Sequence, residues 1–188
     1  MNNNRFAFFR EFLRNPAQIG SIIPSSRFLE RRILEAAGLT SARTVVELGP
    51  GTGGTTRALL RAMPQQARLL SIEINPDFHA WVSSIRDDRL IAHLGSACDL
   101  REIMALYELE SPDVVISGIP FSTMSHSEGS RVLEAVSSLL PPHGKFVAYQ
   151  MRDRVAILGR SYLGSEKSVL EICNIPPMRI YQWEKQVD

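Results

Sequence analysis

From residue 44 onward, short apolar runs alternate with stretches whose apolar residues recur at helical spacing. The runs TVVEL (44–48), RLLSIEI (68–74), RLIAHL (89–94), DVVIS (113–117) and KFVAYQ (145–150) are strand-like. Several are apolar nearly throughout, which is how strands covered by helices on both faces read. Helical stretches fall near 53–62, 76–86, 98–109 and 124–139. Such alternation predicts βαβ units, a parallel sheet and, through right-handed crossovers, a doubly wound α/β domain. The tail changes pattern. SVLEIC (168–173) and RIYQWE (179–184) are joined by too few residues for a crossover helix, so they pair as an antiparallel hairpin.

The front end has a helical period of its own. In RFAFFREFLR (5–14), Phe6, Phe8, Phe9, Phe12 and Leu13 share one face, and Ala7, Arg10, Glu11 and Arg14 the other. Aromatics on one side and arginines opposite compose an interfacial helix. Arg5, Arg10 and Arg14 would each contribute about 1 kcal/mol at an anionic leaflet. A helix packed on its own sheet accounts for the same pattern. Ser25 and Ser26 suit the cap of a further helix at 27–37.

Composition narrows the class. A chain of 188 residues, 44% hydrophobic and 22% charged, fits one globular domain with a full core. Cys98 and Cys173 have no zinc spacing, and the scattered His79, His93, His126 and His143 form no metal set. No long apolar run or signal-peptide pattern occurs, so a cytoplasmic location is expected. The net charge of +1 is unevenly placed: residues 1–32 hold six Arg and two acids, +4, leaving −3 for the remainder. A net-acidic sheet portion argues against a phosphate-binding nucleic-acid surface.

The chemistry begins at VVELGPGTGG (45–54), where a strand ends in a glycine-rich turn that opens a helix. Gly49, Gly51 and Gly53 allow sharp turning and close approach to a ligand. Thr52, Thr55 and Thr56 are suited to capping the helix. Glu73, twenty residues beyond Gly53, is placed to accept from a ribose diol. Gly49, Gly51 and Gly54 also satisfy the dinucleotide fingerprint, so spacing alone does not choose the cofactor. Glu47 tilts the choice, because a carboxylate at the strand end suits a sulfonium or ammonium and repels a pyrophosphate.

VELGPGTG, then IEINPDF (72–78), HLGSA (93–97) and ISGIPF (116–121), together resemble the class I S-adenosylmethionine-dependent methyltransferases. The likeness is to the bacterial phospholipid N-methyltransferases and, more distantly, to the ribosomal RNA adenine dimethylases. It implies a Rossmann-like seven-stranded sheet with an antiparallel last strand at 41–188, behind an N-terminal helical extension at 1–40. It also implies a cofactor set of Glu47, Gly49, Pro50, Gly51, Thr52, Gly53, Glu73, Ile74, Ser96, Ala97 and Ser117. Where many members have Gly-Asp-Ala for the adenine, this chain has Gly95-Ser96-Ala97, with Asp99 close by.

Ser117, Gly118 and Phe121, with Tyr149 from the fifth strand, are expected to face the methyl acceptor. Adenine dimethylases carry an Asn that grips the base amine. Here Gly118 occupies that place, while Phe121 and Tyr149 offer aromatic walls suited to an alkylammonium. With the resemblance to the phospholipid N-methyltransferases, this implies the amine of phosphatidylethanolamine or its methylated forms as the expected acceptor. Residues 1–40 would then hold the enzyme on the anionic inner face of the cytoplasmic membrane and cover the pocket. A nucleobase or small-molecule methyltransferase, and a nicotinamide oxidoreductase or binding module, are the alternatives.

Overall fold

A computed structural model describes residues 26–186. The amphipathic stretch at 5–14 and the first part of the 1–40 extension lie outside the described residues. The chain runs α1 (Arg27–Ala37), β1 (Thr44–Leu48), α2 (Gly54–Ala62), β2 (Arg68–Glu73), α3 (Pro76–Ser83), β3 (Leu90–Leu94) and α4 (Leu100–Leu106). It continues through β4 (Val114–Ser117), α5 (His126–Leu139), β5 (Lys145–Gln150), α6 (Arg154–Leu163), β6 (Lys167–Glu171) and β7 (Met178–Glu184).

The strands form one seven-stranded sheet in the order β3-β2-β1-β4-β5-β7-β6. β1 to β5 are parallel, and β7 runs antiparallel to both β5 and β6. The doubly wound sheet and the antiparallel tail expected from the sequence are both present. The order reverses between β1 and β4, which opens a crevice beyond their carboxyl ends, where open α/β sheets bind ligands.

Central strands are apolar on both sides because helices cover both. Val46, Leu48, Val115 and Phe146 pack with Ile103, Val132, Val136 and Val155 from α4, α5 and α6. Val45, Leu69, Ile116 and Val147 pack on the opposite face with Leu29, Ile33 and Leu59 from α1 and α2. Residues 27–37 are thus built into the helical layer of the sheet. Ser26 caps α1, its hydroxyl accepting from Leu29 N.

Helix α6 was not expected from the sequence. Gly159 interrupts its apolar pattern, and a Cβ there would lie 2.9 Å from Cζ2 of Trp183. Trp183 is fully buried, stacks on Phe146 at 5.3 Å and donates from Nε1 to Gly164 O. The glycine that hides the helix is what lets this ring reach the core.

Helix α5 starts with a capping box. Ser125 Oγ accepts from Glu128 N, and the Glu128 carboxylate accepts from Ser125 N. Ser125→Ala is expected to cost about 1 kcal/mol, a fall of roughly 2–4 °C in melting temperature by calorimetry.

Candidate functional site

The glycine-rich turn follows β1 at the switch point. Gly49, Gly51 and Gly53 all have positive φ (73°, 55° and 79°), conformations that side chains rarely tolerate. The turn is held from both sides, as Gly49 N donates to Ile72 O and Gly118 N to Leu48 O. Gly53 itself is the N-cap of α2, and no side chain caps that helix. The threonines therefore do not cap it: Thr56 is buried and gives its hydroxyl to Glu47 instead, at 2.7 Å. The first N–H groups of α2 stay available for an anionic ligand group.

Glu47 is completely buried. Its Oε2 accepts from Thr56 Oγ1 and from Ser71 Oγ at 2.8 Å, while Oε1 has no hydrogen-bond partner. Burial raises its pKa from the usual carboxyl value to about 7, against the lowering effect of the two hydroxyls. An isolated buried carboxylate oxygen of this kind is costly unless a cation or donor answers it. Glu73 is also buried. Its Oε2 accepts from Gly51 N at 3.0 Å and its Oε1 from Asn75 N at 2.9 Å. Burial pushes its pKa up, opposed by these backbone donors. Ile74 beside it is 40% exposed, an apolar surface at the end of β2.

At the end of β3, Ser96 caps a short 3-10 turn, its hydroxyl accepting from Cys98 N, and Ala97 is buried. Asp99 is engaged elsewhere, accepting from Arg131 at 2.9 Å.

The segment after β4 differs from expectation. Phe121 is completely buried and belongs to the core shared with Val132 and Leu158, so its ring is not a wall of the open crevice. A Cβ on Gly129 of α5 would lie 3.5 Å from that ring, so α5 packs directly onto it. Ser117 is completely buried as well, and its hydroxyl accepts from Ile119 N, shaping the turn rather than facing an acceptor. The apolar character of SGIPF serves packing, and its composition would be the same for a segment that lined the crevice.

Gly118 and Tyr149 are brought together. A Cβ built on Gly118 would stand 2.4 Å from the Tyr149 hydroxyl and 2.9 Å from Gly49 O. The phenol thus fills the space that a side chain at 118 would take. It shares a hydrogen bond with Thr55 Oγ1 at 3.4 Å. Burial, then the neighbouring Glu47 carboxylate, pushes its pKa above the ordinary tyrosine range, so it stays a neutral hydroxyl. Gln150, which the sequence reading passed over, is buried and donates from Nε2 to Ile119 O at 2.6 Å, pinning the same turn. Its signal was a polar residue closing an otherwise apolar strand.

The groove between Gly38, Asp113 and Glu184 lies at the amino ends of the strands and touches none of these groups. Among the described residues no set of His, Cys, Asp or Glu is arranged to hold a metal, and no helix is long and apolar enough to cross a membrane.

No protein-family model matches the chain. It is 28% identical to an ornithine lipid N-methyltransferase of Singulisphaera acidiphila over 181 residues, 94% of this chain and 93% of that protein. The ribosomal RNA small subunit methyltransferase A of Syntrophotalea carbinolica is 37% identical over 93 residues, but these are 50% of this chain and 33% of that protein. The fold matches an O-methyltransferase from Bacillus cereus solved with S-adenosylhomocysteine (TM-score 0.70, 15% identity, 95% and 91% of the two chains). The N-methyltransferase NodS from Bradyrhizobium japonicum is similar throughout (TM-score 0.67, 13% identity, 100% of both chains). Over almost its whole length the chain is similar to a lipid N-methyltransferase, and it has the fold of the S-adenosylmethionine-dependent methyltransferases. The residues of the turn suit S-adenosylmethionine, whose product S-adenosylhomocysteine is bound in the Bacillus cereus structure. A buried carboxylate with a free oxygen would answer the positive charge of S-adenosylmethionine, and three positive-φ glycines keep side chains away from the turn.

Proposed function

We propose that this methyltransferase acts on the primary or partly methylated amine of a membrane lipid, with phosphatidylethanolamine and the amine of an ornithine lipid as the acceptors to test. The observation that carries the reading is the Tyr149 hydroxyl lying over Gly118. A planar nucleobase amine is gripped by an amide side chain at that position, and here neither the side chain nor the room for one exists. The near full-length likeness to a lipid N-methyltransferase supports the same acceptor class.

In this reading Gly49, Pro50, Gly51, Thr52 and Gly53 cradle the amino-acid end of S-adenosylmethionine, and the free oxygen of Glu47 answers its positive charge. Glu73 accepts from the ribose, in exchange for or in addition to its bond from Gly51. Ile74, Ser96 and Ala97 flank the adenine. The cofactor supplies an electrophilic methyl group. The protein contributes orientation and exclusion of water. Tyr149, held neutral, accepts a hydrogen bond from an incoming amine and turns the nitrogen lone pair toward the crevice. An ammonium acceptor gives up its proton to water before transfer. The enzyme would work as a peripheral protein on the cytoplasmic face of the membrane, with residues 5–14 as its first anchor.

Nucleobase methylation is the second reading, favoured by the match of half the chain to ribosomal RNA methyltransferases. Methyl transfer from labelled S-adenosylmethionine, offered in parallel to lipid vesicles and to total RNA, decides between them. Label is expected in the lipid phase at least tenfold above RNA. Label in RNA alone sinks the lipid reading.

A further inference from the structure

The β6–β7 hairpin ends at the same rim as the candidate site. β7 runs antiparallel to β5 with Arg179 opposite Gln150, and β6 pairs with β7 through Glu171 and Met178. The turn at 172–177 therefore stands beyond the carboxyl end of β5, on the side where the glycine turn and Tyr149 open.

This turn is apolar on the outside and polar on the inside, the reverse of an ordinary surface turn. Ile172 is 70% exposed and Ile175 81%. Beneath them Asn174 is buried, its Nδ2 donating to Pro176 O and its Oδ1 accepting from Ser26 N at 3.0 Å. Glu171 accepts from Cys173 N at 2.7 Å and pairs with Arg32. The polar network fixes the turn, and the two isoleucines are held in water by a backbone that gains nothing from them. Rigid apolar groups so presented bury surface against a partner at little entropic cost.

We infer that this hairpin tip is a second membrane-contact element, inserting Ile172 and Ile175 into the interface of an anionic lipid surface; this rests on the lipid-acceptor reading. Several observations select a lipid surface as the partner. Met151, the residue after β5, is half exposed on the same rim, and Leu170 is 49% exposed on the hairpin arm. Arg27, Arg152 and Arg179 are exposed beside them, with Asp153 as an acid in the group. The bond from Ser26 to Asn174 makes the aromatic, basic sequence of residues 1–25 join the fold at this very turn. A lipid amine must also reach the crevice from this rim, so contact here delivers it without leaving the bilayer.

The test uses the full chain and mixed phosphatidylcholine–phosphatidylglycerol vesicles. Ile172→Ser and Ile175→Ser are each expected to weaken vesicle binding about fivefold, and together about thirtyfold, since half-burial of an isoleucine is at stake. Melting temperature, S-adenosylhomocysteine binding and transfer to detergent-dispersed lipid should stay at the wild-type level. Vesicle binding unchanged in the double variant overturns the inference. So does a fall in melting temperature or a change in sedimentation, either of which would mean that residues 1–25 or a second copy cover the turn. If the wild type labels no lipid, the acceptor reading fails, while the vesicle measurement still reads the hairpin by itself.

Discussion

Gly118→Asn, which writes the adenine-dimethylase phrase into this chain, is expected to silence methyl transfer rather than redirect it to RNA. The Cβ alone would meet the Tyr149 hydroxyl at 2.4 Å and Gly49 O at 2.9 Å, closer than any carbon sits without displacing its neighbour. The phenol is tied in place by its hydrogen bond to Thr55. The alternative movement pushes Gly49, and with it the turn that holds the cofactor. Overpacking of this kind costs about 1–3 kcal/mol in stability. Displacing a positioning group by about 1 Å costs roughly a hundredfold in rate, so kcat/KM toward lipid should fall by two to three orders of magnitude. A double-mutant cycle with Tyr149→Ala makes the cause visible. The stability loss from Gly118→Ala should shrink by about 1–2 kcal/mol when the ring is absent. An equal loss in both backgrounds would mean that Tyr149 does not fill the space of a side chain at 118. Full activity of Gly118→Asn would remove the argument for a lipid amine.

That pair also marks where sequence reading stopped. The strands were legible because buried parallel strands are apolar on both faces, and the glycine turn because its backbone demands specific residues. Glu47 and Glu73 were legible as acids fixed in register with that turn. Gly118 was legible only as a missing amide. That Tyr149 fills its space depends on the β4–β5 pairing, which places Ser117 opposite Ala148 and so brings the next residues of each strand side by side. The burial of Phe121 was hidden for a different reason. An aromatic after a strand has one composition whether it lines a crevice or seals the core. What decides it is the close seating of Gly129, from the next helix, and Leu158, from a helix further along the chain, against the ring. The exposure of Ile172 and Ile175 belongs to the same class: composition does not say whether apolar residues at a hairpin tip face in or out.

Glu47→Gln is expected to separate the stability of the fold from the affinity for its cofactor. The folded-state pKa of Glu47 is raised to about 7 from an ordinary 4.5. Between these values the folded chain holds more protons than the unfolded one, so stability is fully present below about pH 4.5 and is lost as pH rises toward 7. Between pH 5 and pH 8 the wild type should lose about 2–3 kcal/mol relative to the glutamine variant, which does not titrate. Denaturant melts at the two pH values measure this directly, and a pH-independent difference would show that Glu47 does not titrate in this range. Binding should run the other way. A cation beside the free oxygen favours the ionised carboxylate, so wild-type affinity for S-adenosylmethionine rises with pH through about 7. The variant should bind roughly a hundredfold more weakly at pH 8, with that dependence gone. S-adenosylhomocysteine keeps the ammonium but lacks the sulfonium charge. The same pH dependence for both ligands would assign the Glu47 carboxylate to the ammonium, and a dependence seen with S-adenosylmethionine alone would assign it to the sulfonium. In either case the residue least favourable to the empty fold is the one that the charged cofactor answers.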